Sequence, residues 1–246
     1  MKRYSDNVSV RSYDADQAGR LKPSSVFNYF QEAAWRHAEM LGFGYGALLE
    51  RNLFWVLSRI YLEWDAPLRW GDEVVIETWP KGIHKLFALR DFVVRTESGT
   101  PAIRATSAWL TLDVESRRPR RPQDIMKPEV MLESEHAVEE LPPKLAIGDE
   151  LEPVDGRVAR YSDLDVNRHV NNARYVDWIF DAVPPPDEAS VAFSNLAVQF
   201  SGEARFGETV DILTGTADGA GLCHAAIVTR DARTHVCDAT VTPARD

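Results

Sequence analysis

Across residues 24–41 the apolar side chains Val26, Phe27, Phe30, Ala33, Ala34, Ala38 and Leu41 recur at three- and four-residue steps. That spacing sets them on one face of a long helix. Ser24 or Ser25 is placed to cap its start and Gly42 to end it. A short second helical stretch covers residues 46–51, after which the period changes. Residues 55–64, 73–79, 86–96 and 102–114 are rich in Val, Ile, Trp, Phe and Thr, and Arg-Trp-Gly-Asp and Ser-Gly-Thr-Pro turns punctuate them. This predicts a series of strands.

From residue 117 to 157 the chain carries SRRPRRPQ, further prolines and the acidic run ESEHAVEE, with no sustained period. A linker is expected there. Beyond it, residues 172–182 again have a helical face, made by Tyr175, Val176, Ile179 and Phe180, with Pro184, Pro185 and Pro186 as the stop. Strand-like runs follow at residues 192–200, 208–214, 222–229 and 235–241.

The two halves thus repeat one order, a helix and then antiparallel strands. Aligning Asp16 with Asp165 lays Val26, Phe27, Tyr29 and Phe30 over Tyr175, Val176, Trp178 and Ile179. Aligning Gly71 with Gly207 lays Leu62, Trp64 and Trp70-Gly71-Asp72 over Val198, Phe200 and Phe206-Gly207-Glu208. A helix of this length flanked by strands closes a core when the sheet wraps it, as in a hot-dog fold. The expected class is α+β, a tandem double hot-dog in which each half is an antiparallel sheet wrapped around a long helix. The expected limits are 1–125 for the N-terminal domain, 126–155 for the linker and 156–246 for the C-terminal domain.

Composition narrows this reading without changing it. The 246 residues suffice to bury one or two apolar cores without disulfides or metals. Hydrophobic residues at 44% and charged ones at 27% exclude a disordered or collagen-like chain. A net charge of −10 opposes global attraction to nucleic acid or an anionic membrane. The start, MKRYSDNVSV, has no apolar run after its basic residues, and no stretch reaches the ~18 apolar residues of a membrane span. A cytoplasmic protein is expected. Cys223 and Cys237, without CxxC spacing, read as buried thiols in a reducing compartment.

The densest polar cluster precedes the second helix, where Asp163, Asp165, Asn167, His169, Asn171 and Asn172 crowd a helix start. Asx side chains there cap free backbone N–H groups, which is the plain account of Asn171 and Asn172. Asp165, Asn167 and His169, however, stand two apart, so an extended segment would present all three on one face. Their counterparts in the first half are Asp16, Ala18 and Arg20. A purely architectural turn would serve equally in both copies, so the asparagine and histidine point to chemistry in the second.

The segment SDLDVNRHVNNARYVDWI resembles the signature of the thioesterases that act on acyl-acyl carrier protein in plant plastids and bacteria. The first half, SYDADQAGRLKPSSVFNYFQEAAWRHAEMLGFG, is similar to the start of that family's N-terminal hot-dog domain. The resemblance implies catalytic roles for Asp165, Asn167 and His169. It places a fourth, a glutamate from a further strand, at Glu203 in NLAVQFSGEARFG. Plant members carry a cysteine directly after that glutamate; Ala204 stands here, so a covalent cysteine route is unavailable at that position. The implied activity is hydrolysis of fatty acyl-acyl carrier protein to free fatty acid, ending fatty acid synthesis, with no cofactor and no metal.

Thioester hydrolysis needs a nucleophile, a proton acceptor and donors for the oxyanion. Glu203 is expected to act as base on a water or as direct nucleophile. His169 and Asn167 would orient that species or the thioester, and Asp165 would hold the histidine or the asparagine in place. Backbone N–H groups near Asn171 and Asn172 would face the oxyanion. Three rivals stay open: Asp165, His169 and Glu203 as metal ligands, a hot-dog hydratase or dehydratase, and a non-catalytic acyl-carrier binder.

Phe27, Phe30, Trp55 and Trp109 line an acyl tunnel or belong to the core, with core the simpler account. The resemblance gives this half the choice of chain length, but no residue names the length. A carrier protein is acidic, so it would need a local basic patch, for which Arg117, Arg118, Arg120 and Arg121 are the candidates against a solvated linker. Whether two chains pair into a homodimer is left open.

Overall fold

The structure, a computed structural model, describes residues 2–146, 151–183, 193–216 and 222–243. The chain divides into two compact units, Met1–Pro142 and Pro143–Asp246.

In the first unit, strands β1 (Tyr4–Ser9), β2 (Leu53–Trp64), β3 (Glu73–His84), β4 (Phe87–Thr96) and β5 (Pro101–Asp113) form an antiparallel sheet in the order β1-β3-β4-β5-β2. Helix α1 (Pro23–Met40) buries Val26, Phe27, Phe30, Ala33, Ala34, His37 and Ala38. Phe30 stacks on Phe92 of β4 with ring centroids 4.3 Å apart. A short helix α2 (Tyr45–Leu49) follows.

The helix begins differently from expectation. Pro23 takes its first position, where a fixed φ and a missing N–H cost nothing. Lys22 is the capping residue, without a side-chain bond, and Ser24 and Ser25 are buried inside the first turn. The C-terminal end follows the glycine rule, with Gly42 at φ +79°. Phe27 and Phe30 are core, and Trp55 and Trp109 are partly buried against the cluster of Ala38, Phe43, Leu48, Leu53 and Ala88.

Much of the segment read as a linker is built into the first unit. Residues Pro119–Arg120 form a short strand β6 on β5, and Met126 and Met131 enter the apolar cluster just named. Farther on, Ala137 packs on Trp79 and Val93. Between Arg121 and Glu135 the backbone closes local turns on itself, and around Glu135–Val138 side chains of the sheet satisfy it instead. Trp79 Nε1 donates to the Glu135 carbonyl at 3.0 Å, and the Ala137 N–H donates to Asp91 Oδ2 at 2.7 Å. Lys81 Nζ donates to the Val138 carbonyl. The register of β3 against β4 shifts between Pro80 and Gly82, a bulge that leaves Lys81 as the extra residue. Its ammonium lies buried 3.6 Å from the fully buried Asp91 carboxylate.

The second unit orders its strands β8-β11-β10-β9-β7: β7 (Glu152–Val158), β8 (Phe193–Phe200), β9 (Thr209–Thr216), β10 (Cys223–Thr229) and β11 (His235–Pro243). Strand β7 lies largely inside the expected linker. Its side chains are mostly exposed, so no apolar alternation announces it. Helix α3 (Asn172–Ala182) buries Ala173, Tyr175, Val176, Trp178 and Ile179. Pro184, Pro185 and Pro186 lie outside the described residues. Both cysteines are free thiols; Cys237 is fully buried, and Cys223, expected to be buried, is only partly so. No described helix is long and apolar enough to cross a membrane. Each unit is a helix laid on an antiparallel sheet, the hot-dog arrangement.

Removing one member of a buried ion pair strands the other charge, a loss of roughly 3–5 kcal/mol. Asp91→Ala leaves the Lys81 ammonium without its counter-charge and the Ala137 N–H without its acceptor. It is expected to destabilise the first unit by about that amount in urea titration, and a variant within about 1 kcal/mol of the parent would mean the clamp contributes little.

Candidate active site

The loop before each helix is built twice from the same bonds. In the second unit the Asp165 N–H donates to the His169 carbonyl (2.9 Å) and Arg168 N–H donates to the Asp165 carbonyl (3.0 Å). Asp165 Oδ1 accepts the N–H of Asn167 at 2.8 Å and that of His169 at 3.4 Å. In the first unit Asp16 N–H donates to Arg20 O (2.7 Å), and Asp16 Oδ1 accepts the N–H groups of Ala18 (2.8 Å) and Arg20 (2.9 Å). The bridge Leu164↔Val170 matches Ala15↔Leu21, and His169↔Arg205 matches Arg20↔Arg69.

The segment is therefore a tight turn rather than the extended run expected from the two-residue spacing. Its reversal needs a left-handed residue, which is Gly19 at φ +74° in the first unit and Arg168 at φ +64° in the second. Asp165 turns its carboxylate inward to the loop backbone, while Asn167 stands exposed near the tip and His169 is partly buried.

Identical scaffolding isolates the differences. In the first unit Arg20 Nε donates to Asp16 Oδ2 at 3.0 Å, closing the loop on itself. Partial burial pushes the Asp16 carboxyl up, but the Arg20 N–H, the Arg20 guanidinium and the Ala18 N–H together hold it below the usual carboxylate range. In the second unit His169 replaces that arginine and faces away from the aspartate: its Nδ1 stands 3.1 Å from Glu203 Oε2. Glu203 follows the end of β8, in a segment pinned by Ser201 and Gly202, whose N–H groups both donate to the Val236 carbonyl (3.1 and 3.3 Å). The matching pair in the first unit, Asp65 and Ala66, donates to Ala102 O (2.8 and 3.1 Å). There the place of Glu203 is taken by Pro67, which has no group to offer a substrate.

Two groups at this site are absent from the sequence-based expectation. Arg205 Nη2 donates to Glu203 Oε1 at 3.2 Å, so both oxygens of the carboxylate are engaged. Its counterpart Arg69 instead donates to the Ala18 carbonyl at 3.4 Å. Tyr175, which the periodicity counts only as part of the apolar helix face, accepts the Ala204 N–H on its hydroxyl at 2.8 Å. A signal for the second exists in the chain, because Val26 aligns with Tyr175.

The helix start differs in part from expectation. Asn171 is the cap: Oδ1 accepts the Ala173 N–H at 2.8 Å, its carbonyl accepts that of Arg174 at 2.8 Å, and its own N–H donates to Asp163 O at 2.9 Å. Its N–H, carbonyl and Oδ1 are occupied, so it offers no backbone donor to a substrate. Asn172 opens the helix and is partly buried. Among the described residues no three His, Cys, Asp or Glu side chains gather as a metal-ion site. Arg117, Arg118, Arg120 and Arg121 are all exposed on the β5–β6 hairpin rather than in a linker. Arg120 pairs with Asp113 at 3.0 Å, and the Arg117 guanidinium lies 5.1 Å from the Phe54 ring centre.

Residues 1–129 match the family model described as the acyl-ACP thioesterase N-terminal domain, and residues 154–240 match that of its C-terminal domain. A chloroplastic palmitoyl-acyl carrier protein thioesterase of Gossypium hirsutum is 33% identical over 87% of this chain and 55% of its own length. The chain thus spans about half the length of the curated relatives it matches. Among solved structures, an acyl-ACP thioesterase from Bacteroides thetaiotaomicron superimposes with a TM-score of 0.89 at 25% identity, covering 98% of this chain and 97% of that one. The 12:0-ACP thioesterase from Umbellularia californica gives 0.86 at 25% identity with the same coverage. With both halves matched in order, the chain belongs to the acyl-ACP thioesterase family.

Proposed function

We propose that this chain hydrolyses the thioester of fatty acyl-acyl carrier protein, releasing free fatty acid and thiol, with Glu203 and His169 at the reacting centre. The observation that carries the reading is the 3.1 Å contact between His169 Nδ1 and Glu203 Oε2, made on a scaffold whose duplicate has an arginine and a proline in their places. A holder of acyl chains would have no use for that replacement. Relatives named for palmitoyl, oleoyl and dodecanoyl carriers support the substrate class, an acyl thioester, without selecting a chain length.

A carboxylate offers about four acceptor sites. Arg205 donates to one oxygen of Glu203 and the His169 ring stands 3.1 Å from the other, which leaves acceptor sites for a water. The water oxygen bonds to the thioester carbonyl carbon as Glu203 takes its proton. When the tetrahedral adduct collapses, the C–S bond breaks and the proton passes to the departing sulfur. His169 holds the base in orientation, and the exposed Asn167 amide is a candidate donor to substrate. Asp165 acts at one remove, by setting the turn that presents both. At the helix start Asn171 is spent on capping, which leaves the Asn172 N–H to face the oxyanion, at the end where the helix dipole favours negative charge. The acyl carrier protein is the proposed partner and a reducing, cytosolic setting the proposed location. Arg117, Arg118 and Arg121 are the proposed carrier contacts, with Arg120 already neutralised by Asp113.

Removing a positioned base lowers rates by about 10²- to 10⁴-fold. Glu203→Ala and His169→Ala are each expected to fall in that range in release of thiol from a defined acyl carrier thioester, while near-full turnover in both folded variants would rule out this centre. Asp165→Ala should speed amide exchange at Asn167 and His169 and reduce turnover by roughly 10²-fold through misplacement. Asp165→Asn, which keeps an oxygen acceptor, should retain most of both properties; equal damage in the two variants would point to a role for the charge itself. Changing Arg117, Arg118, Arg120 and Arg121 together to glutamate is expected to raise KM for carrier-bound substrate and leave short soluble thioesters unaffected. An unchanged KM would reject the patch.

A further inference from the structure

At four positions around the second unit's loop a hydrogen-bonding group stands where the first unit has a different residue: Asn167 for Ala18, His169 for Arg20, Glu203 for Pro67, and Tyr175 for Val26. The first three supply the polar groups already assigned. The fourth lies inside the core, where an unneeded hydroxyl is unfavourable. Tyr175 is 1% exposed, with its ring set edge-on to Trp178 at 5.6 Å and tilted against Phe200 at 6.3 Å. An apolar ring would fill the same space. What the hydroxyl adds is a bond from the Ala204 N–H at 2.8 Å, made to the residue directly after Glu203.

That bond completes the anchoring of a segment with no ladder of its own. On the N-terminal side Ser201 and Gly202 are tied to the Val236 carbonyl, and on the C-terminal side the Ala204 carbonyl accepts the Val170 N–H at 2.9 Å. The first unit reproduces both ties, through Ala102 and through Leu21 to the Leu68 carbonyl at 2.8 Å. It cannot reproduce the third, because Val26 carries no acceptor. Instead the Pro67 ring fixes φ at the position corresponding to Glu203, a covalent restraint that a glutamate gives up. Burial holds the Tyr175 phenol far above its ordinary range, so it stays a neutral acceptor through the working pH range.

We propose that Tyr175 is a positioning residue for the hydrolytic reaction: its buried hydroxyl, by accepting the Ala204 N–H, fixes the backbone that carries Glu203, and so sets the Glu203–His169 contact. This rests on the reading of Glu203 as the base. The tyrosine touches no substrate and acts only through that carboxylate.

Tyr175→Phe keeps the ring and removes the bond. At a temperature well below unfolding, kcat for an acyl carrier thioester is expected to fall about 10-fold, within the loss a misplacement of about 1 Å produces, with KM within twofold of the parent. Ile179→Val on the same buried helix face serves as the control for lost stability, and should lower Tm without moving kcat. In a Glu203→Gln background, Tyr175→Phe should cause no additional loss, since residues acting as one unit are non-additive. A Tyr175→Phe enzyme with kcat within twofold of the parent, or a full 10-fold further loss in the Glu203→Gln background, would overturn the proposal. Near-full activity of Glu203→Gln alone would instead remove the base assignment beneath it, and the two failures are distinguished by that single variant.

Discussion

A carboxylate accepting backbone N–H groups inside a tight turn is the interaction on which the site depends. Asp165 draws the amides of Asn167 and His169 onto one oxygen, and the chain can then reverse and present the imidazole toward Glu203. Without it, the turn would have to hold an arginine in the left-handed region with little in return, at a cost of roughly 1–2 kcal/mol. The same device at Asp16 shows that the turn is architecture first. The two copies differ in the side chains this turn displays.

This duplication separates scaffold from function without recourse to any other protein. What both units share, the inward aspartate, the isolated bridge to Arg69 or Arg205 and the paired N–H bonds to one carbonyl, belongs to folding. What only the second has, His169, Asn167, Glu203 and the Tyr175 hydroxyl, makes up the proposed site. Arg205 is a mixed case: the first unit has an arginine there too, but its guanidinium goes to a loop carbonyl, whereas Arg205 goes to Glu203. A carboxylate at Glu203, where the other copy has a proline, gives that arginine a charged partner.

The first unit has put its polar groups to a different use. Trp79, Lys81, Asp91 and Arg104 bond the backbone of the irregular stretch at Glu135, Ala137 and Val138, doing for it what a neighbouring strand would otherwise do. A buried lysine–aspartate pair gives little net stability relative to an apolar pair of the same size. Here its lone pairs and protons also satisfy main-chain groups that would otherwise be buried unpaired, which explains why charge is tolerated at this depth.

Elements with a clear period were legible in the chain alone. Helix α3 falls on the residues its apolar spacing marks, and most strands fall within a few residues of their Val- and Ile-rich runs. The repeat was also legible, and with it the asymmetry that singled out Asn167 and His169. Strand β7 and the stretch through Met126 to Val138 were not, because edge strands and clamped coil owe their conformation to distant partners and leave no period. The direction of the Asp165 carboxylate was likewise hidden: a two-residue spacing fits an extended segment and a turn equally, and only the bonds to Asn167 and His169 decide between them. Residue identity determined which groups were available for chemistry. Which of them meet, His169 with Glu203 and Tyr175 with Ala204, was decided by the tertiary fold, since polar contacts of this kind act over about 3 Å and sequence separation carries no information at that range.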